Sequence, residues 1–194
     1  MGTVRGIAAQ LPIPRPVVDT PEVRALCERL VAGTIPMLLK VDAPPWAQHN
    51  ECVGNVESVI EIHGGAVEYG WQLWETLPGV LVEAEFHAVW VDADGRRLDV
   101  TPKELPGIKQ IVFLPDPALV YDGRQIDNVR MPLKDDTLIT EFIQTAERFY
   151  EVTNRDGLAA YHGELVLTPE MQMIQKRRGS LELMILDKYY PFPS

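Results

Sequence analysis

The side chains best suited to covalent chemistry are Cys52, His87 and Asp99, met in that order along the chain. A cysteine thiolate is a strong nucleophile. A nearby histidine takes and returns its proton, and a carboxylate on the far ring nitrogen fixes the tautomer and steadies the imidazolium. Together the three residue types suit acyl transfer through a thioester. Local geometry alone brings two of them together. In HAVWVDADGRRLDVT, Asp92 to Gly95 make a turn, and a three-residue loop of Ala93, Asp94 and Gly95 puts glycine in the left-handed position. That loop sets Asp92 opposite Arg96, Trp90 opposite Leu98 and Ala88 opposite Val100. Phe86, Ala88, Trp90, Leu98 and Val100 then share one face, and Glu83, Glu85, His87, Val89, Asp99 and Thr101 share the other. Thr101 faces His87, and Asp99 is its diagonal neighbour, about 7 to 8 Å away by backbone, a gap that side chains bridge. A two-residue loop would put His87 and Asp99 on opposite faces and pair Trp90 with Asp99. The plain alternative is a polar cross-strand pair on the solvated face of an ordinary hairpin.

The elements around these residues follow from periodicity. Asn50 is the expected cap of a helix whose stripe is Val53, Val56 and Ile60 and whose end is Gly64-Gly65, so Cys52 falls in its first turn. There the unpaired backbone N–H groups and the helix dipole favour a thiolate. An earlier helix starts at Thr20-Pro21 and turns Val23, Leu26, Cys27, Leu30 and Val31 inward, which makes Cys27 a core thiol. IPMLLKVDAPPW reads as a short strand. AVEYGWQLWE alternates, with Val67, Tyr69, Trp71 and Leu73 on one face, and begins an antiparallel meander that runs through the His87 hairpin. Gln110 to Leu114 is a further strand, and PDPALVYDGRQIDN is a loop. Two helices close the chain. Leu138, Phe142, Ala146, Phe149 and Tyr150 line one, while Met171, Ile174, Leu181 and Met184 line the other, with Gly179 a point of bending or breakage.

The expected fold is therefore α+β, with a catalytic helix packed on an antiparallel sheet. One domain covers residues 1–194, made of a proline-rich extended arm (1–19), a catalytic core (46–102) and C-terminal helices (135–194). With 194 residues, 46% of them hydrophobic, the chain can bury one ample core. A net charge of -10, from 18 basic and 28 acidic residues, argues against a nucleic-acid partner. No window holds the roughly 20 apolar residues of a membrane span, and MGTVRGIAAQLPIPRP has neither a long apolar core nor a small-residue cleavage site. Two cysteines without a disulfide framework suit a reducing compartment, so the expected location is cytoplasmic.

In Cys52, FHAVW at His87 and LDVTP at Asp99, the sequence resembles the transglutaminase-like branch of the papain-like cysteine enzymes. The layout GG…YGW…WE…EAEFHAVW also resembles that of stand-alone bacterial proteins. The resemblance covers residues 46–102 and implies a papain-like core with Cys52 as nucleophile, His87 as base and Asp99 as orienter. It implies a hydrolase or transferase that takes a small-molecule or peptide acyl donor and passes the acyl group to water or an amine. The oxyanion candidates are Gln48, which resembles the glutamine such enzymes place before the cysteine, and Asn55, beside the Cys52 N–H. Trp46, Trp71 and Glu85 are candidates for holding substrate, with Tyr69, Trp74 and Glu83 near them. No cofactor or metal is expected. Two alternatives stand beside this reading: a zinc site drawing on Cys52, His87, Asp99 and His49 or His63, and a non-catalytic binding module on the same fold.

Overall fold

The computed structural model describes residues 13–191 apart from Val18, Pro106, His162 and Glu164; the start of the expected arm, Pro12 included, lies outside the described residues. The elements run β1 (Arg15–Pro16), α1 (Pro21–Leu30), β2 (Met37–Lys40), α2 (Cys52–His63), β3 (Ala66–Leu77), β4 (Leu81–Val91), β5 (Arg97–Leu98), β6 (Gln110–Pro115), β7 (Val129–Pro132), α3 (Thr137–Thr153) and α4 (Pro169–Tyr189). The architecture is α+β around one antiparallel sheet of seven strands. The described end of the arm pairs along β3, Arg15 opposite Glu75 and Pro16 opposite Trp74, an edge position that proline tolerates. The Thr20 hydroxyl accepts from the Val23 N–H, and α1 buries Val23, Leu26 and Cys27 as its spacing predicts.

Along the sheet the order is β2-β6-β3-β4-β5, so β6 inserts between strands that precede it in sequence. The hairpin register is the expected one: Trp90 faces Leu98, Val91 faces Arg97, and the Asp92 N–H donates to the Arg96 carbonyl across a turn with Gly95 at φ 79°. Past Leu98 the chain leaves β4, so the expected pairs Ala88–Val100 and His87–Thr101 do not form and Asp99 turns to β2 instead. The Asp99 N–H donates to the Lys40 carbonyl (3.0 Å), the Asp42 N–H donates to the Asp99 carbonyl (2.8 Å), and Asp99 bridges Val41 in parallel. That bridge joins the two ends of the strand order, so the sheet rolls into a small barrel. Leu39, Val89, Ile111 and Phe113 fill its interior, whereas Trp71, Leu73, Val82, Ala84 and Leu114 point outward under α1. Gly70 lies where β3 crosses β6, and a Cβ there would meet the Leu114 carbonyl and the Phe113 ring.

The sheet face that carries His87 is thus the inside of a barrel. His87, Asp99 and Thr101 are buried, at 5%, 0% and 2% exposure, which overturns the alternative of a solvated surface pair.

The C-terminal helices pack on each other and on the β3–β4 turn through Ile139, Ile143, Ile185, Leu77, Val80 and Leu81. The buried stripe of α3 is Ile139, Ile143, Ala146 and Val152, rotated by one residue from the expected Leu138–Phe142 line. Met184 is exposed instead of inward, and α4 runs unbroken through Gly179. Thr168 caps α4 and Pro169 starts it, as expected. No helix among the described residues is long and apolar enough to cross a membrane.

Candidate active site

The site arises where β4 has no neighbour on one edge. β7 pairs with β4 from Leu81 to Ala84 and β5 pairs at Trp90 and Val91, leaving residues 85–89 with β3 on one side and, among the described residues, no strand on the other. Outside the barrel, α2 packs Val56 and Val59 on Ala88 and Val100. The gap lets a residue at the start of that outer helix meet a side chain from the inner face. Cys52 is the first residue of α2, is half-buried, and lines the same cleft as His87, where it favours the charged imidazole.

His87 Nε2 lies 3.0 Å from Asp99 Oδ1. A carboxylate only accepts, so Nε2 carries the proton in the neutral ring, and Nδ1 is left as the acceptor for the Cys52 thiol. Burial works against a charged imidazole here. The Asp99 charge and hydrogen bond, with the contact to Cys52, outweigh it and raise the His87 pKa to about 9, with Lys103 opposing. Burial likewise works against the Asp99 carboxylate, but His87 and Lys103 win and hold its pKa below the usual range. Asp99 is held firmly: Oδ1 also accepts from the Thr101 N–H (3.0 Å), and Oδ2 is 2.6 Å from Lys103 Nζ. The Lys103 contact is an ion pair, since Oδ2 makes no well-angled hydrogen bond.

Asn55 and Thr101 fasten α2 to the strand carrying Asp99. Asn55 Nδ2 donates to the Gln48 carbonyl (2.7 Å) and the Thr101 hydroxyl (3.3 Å), while Oδ1 accepts from the Gln48 N–H (2.9 Å). Both amide hydrogens of Asn55 are therefore spent inside the fold, and none is directed at a substrate. The Gln48 side chain is exposed and lines neither cleft next to Cys52. The cap of α2 is Glu51, without a side-chain hydrogen bond; Asn50 instead adopts φ 63° and donates from Nδ2 to Glu104 Oε1 (2.8 Å). Leaving the helix start without a side-chain cap keeps its N–H groups available for a ligand.

Two clefts open beside Cys52. One, of about 440 Å³, is lined by His87, Gln72, Trp74, Glu85 and Lys103; the other, of about 370 Å³, by Phe86, Tyr121, Arg124 and Ile126. Glu85 borders both. Burial raises its pKa against the pull of His87 and Lys103. Tyr69, Phe86 and Tyr121 form a triangle of rings, with centroids 5.8 Å (Tyr69–Phe86), 5.1 Å (Phe86–Tyr121) and 6.2 Å (Tyr69–Tyr121) apart, which gives the second cleft an aromatic wall. The structure thus brings Cys52, His87, Asp99, Glu85 and Trp74 together. It does not bring Trp46, which is half-exposed and lines neither cleft, nor Trp71, which packs under α1 and donates from Nε1 to Asp116 Oδ2 (3.0 Å).

The zinc alternative requires convergent donors. Among the described residues no group of three or more His, Cys, Asp and Glu side chains is placed to hold a metal ion, and His49 and His63 are both exposed. Two residues of the site, Gln72 and Lys103, are absent from the sequence reading. Lys103 Nζ lies 2.8 Å from Gln72 Oε1 and 3.4 Å from His87 Nε2. The available signal was a polar residue inside the apolar alternation GWQLW and a lysine four residues after Asp99. No family model matches the chain, nor does any curated protein or solved structure.

Proposed function

We propose that the protein is a cysteine-dependent acyltransferase or hydrolase, acting on an amide or thioester through Cys52, His87 and Asp99, on a papain-like fold of the transglutaminase-like type. The observation that carries this reading is the buried His87–Asp99 pair, 3.0 Å apart, opening onto a cleft shared with a helix-start cysteine. In its neutral form His87 takes the thiol proton through Nδ1, and the Cys52 sulfur attacks the carbonyl carbon. The S–C bond forms as the carbonyl π pair moves onto oxygen. Collapse then expels the amine or thiol, which leaves with the proton held by His87. The acyl-thioester on Cys52 is cleared by water or an amine, with His87 now acting as base.

A raised His87 pKa supports this direction of proton flow, because the imidazolium is stable enough to form as the thiolate forms. Asp99 cannot swing away, since Thr101, Lys103 and the barrel-closing bridge all hold it. The test is intact-protein mass spectrometry after exposure to libraries of acyl-thioesters and amides. An adduct on Cys52 that is absent from Cys52→Ala supports the reading. A chain that stays unmodified, or an equal adduct on Cys52→Ala, removes it.

A further inference from the structure

Resting on that reading, we infer that Gln72 supplies the second hydrogen bond to the developing oxyanion, beside the Cys52 N–H, and that Lys103 is the residue that aims it. Gln72 is 3% exposed yet lines the cleft shared by Cys52 and His87. Lysine can only donate, so the Gln72 atom 2.8 Å from Lys103 Nζ is the carbonyl oxygen, and the amide cannot be flipped without setting donor against donor. With Oε1 fixed on the Lys103 side, the NH2 group points the other way. Among the described residues it donates to no protein acceptor, not even Glu85, its cross-strand neighbour.

Gln72 Nε2 keeps contact with the cleft, so its two unused hydrogens face water until a ligand takes them. The Cys52 N–H is equally without a protein acceptor among the described residues, at a helix start that lacks a side-chain cap. An acyl carbonyl attacked by Cys52 would present its oxygen to both. The charge on Lys103 lies behind the amide and polarises it, which strengthens N–H donation to an anion. No proton changes hands in this role: the oxyanion accepts hydrogen bonds as the S–C bond forms and loses them when the carbonyl reforms. Lys103 also grips Asp99, so a single ammonium sets both the orienter of the base and the donor to the oxyanion.

Two thiol reagents separate this role from general reactivity. p-Nitrophenyl acetate acylates through a tetrahedral oxyanion, whereas iodoacetamide alkylates by direct displacement and forms none. Gln72→Ala should slow acylation of Cys52 about 10²-fold while leaving the alkylation rate unchanged. In Gln72→Glu, a carboxylate replaces the donor, so acylation should fall further still, while alkylation persists with a pH profile moved by the added charge. Lys103→Met should slow acylation like Gln72→Ala and move the pH profile of alkylation, because its charge no longer opposes protonation of His87. Equal losses with both reagents, or acylation untouched in Gln72→Ala, would overturn the assignment. A wild-type Cys52 inert to both reagents removes the triad itself and this role with it.

Discussion

Raising the pH from about 6 to 9 should remove the stabilisation that the buried His87–Asp99 pair gives the fold. The His87 pKa stands at about 9 against 6.5 for an unperturbed imidazole, so the folded chain keeps a proton that the unfolded chain has lost. A shift of this size corresponds to about 3 kcal/mol. It is fully present below about pH 6.5, falls by about 1.4 kcal/mol per pH unit above that, and is gone past about pH 9. Asp99 acts in the opposite window: its pKa is lowered, so its contribution is complete above the ordinary carboxylate value of 3.8 and constant here. With a urea slope of about 2 kcal/mol per molar, the unfolding midpoint should drop by about 1.5 M across the window. The assay is urea unfolding followed by the fluorescence of the four tryptophans, in a Cys27→Ala background. That background matters because burial raises the Cys27 thiol from 9.0, and its ionisation on unfolding would add a second loss at high pH. Asp99→Asn should start from lower stability, with Lys103 left without its counter-charge, and should lack the slope. A flat wild-type midpoint, or the same slope in Asp99→Asn, would refute the argument.

Three further outcomes follow from the packing. Cys52→Ala should abolish turnover with the unfolding midpoint unchanged, whereas Cys27→Ala, removing a 2% exposed sulfur under α1, should cost about 1 kcal/mol and spare turnover; activity in Cys52→Ala would end the mechanism. Asn55→Ala deletes three hydrogen bonds that tie α2 to Gln48 and Thr101, so denaturation should show a loss of about 2 to 3 kcal/mol together with slower alkylation of Cys52. Gly70→Ala drives a methyl into the Leu114 carbonyl and the Phe113 ring, and should lower stability by about 1 to 3 kcal/mol or more, visible as a reduced thermal midpoint.

The helix start at Cys52 and the turn end of the hairpin register, Trp90 opposite Leu98, were legible because both depend on residues near in sequence. A stripe of valines with a glycine stop defines the helix, and a turn with one left-handed glycine admits one pairing. Gln72 was not legible, and the reason is a single bulge. From Leu77 opposite Leu81, an unbroken hairpin would set Gln72 against Phe86, on the outward face. The irregularity between Glu75 and Leu77 shifts the register by one, so Gln72 faces Glu85 and joins His87 inside the barrel. Thr76 at that bulge carries no sequence mark that distinguishes it from a regular strand residue.

Short-range order along the chain was enough for the local units: which segments form helices and strands, and that His87 and Asp99 lie within a side chain's reach. Tertiary structure alone decided that this pair is enclosed, because the Asp99–Val41 bridge links segments far apart in the chain and rolls the sheet shut. Closure is what excludes water from the pair. It also decided that Lys103 lies against Asp99 and Gln72, since that contact depends on how the chain turns after Thr101 and on the bulge in β3. Periodicity reports burial on one element at a time, and it carries no information about two elements meeting across a closed sheet.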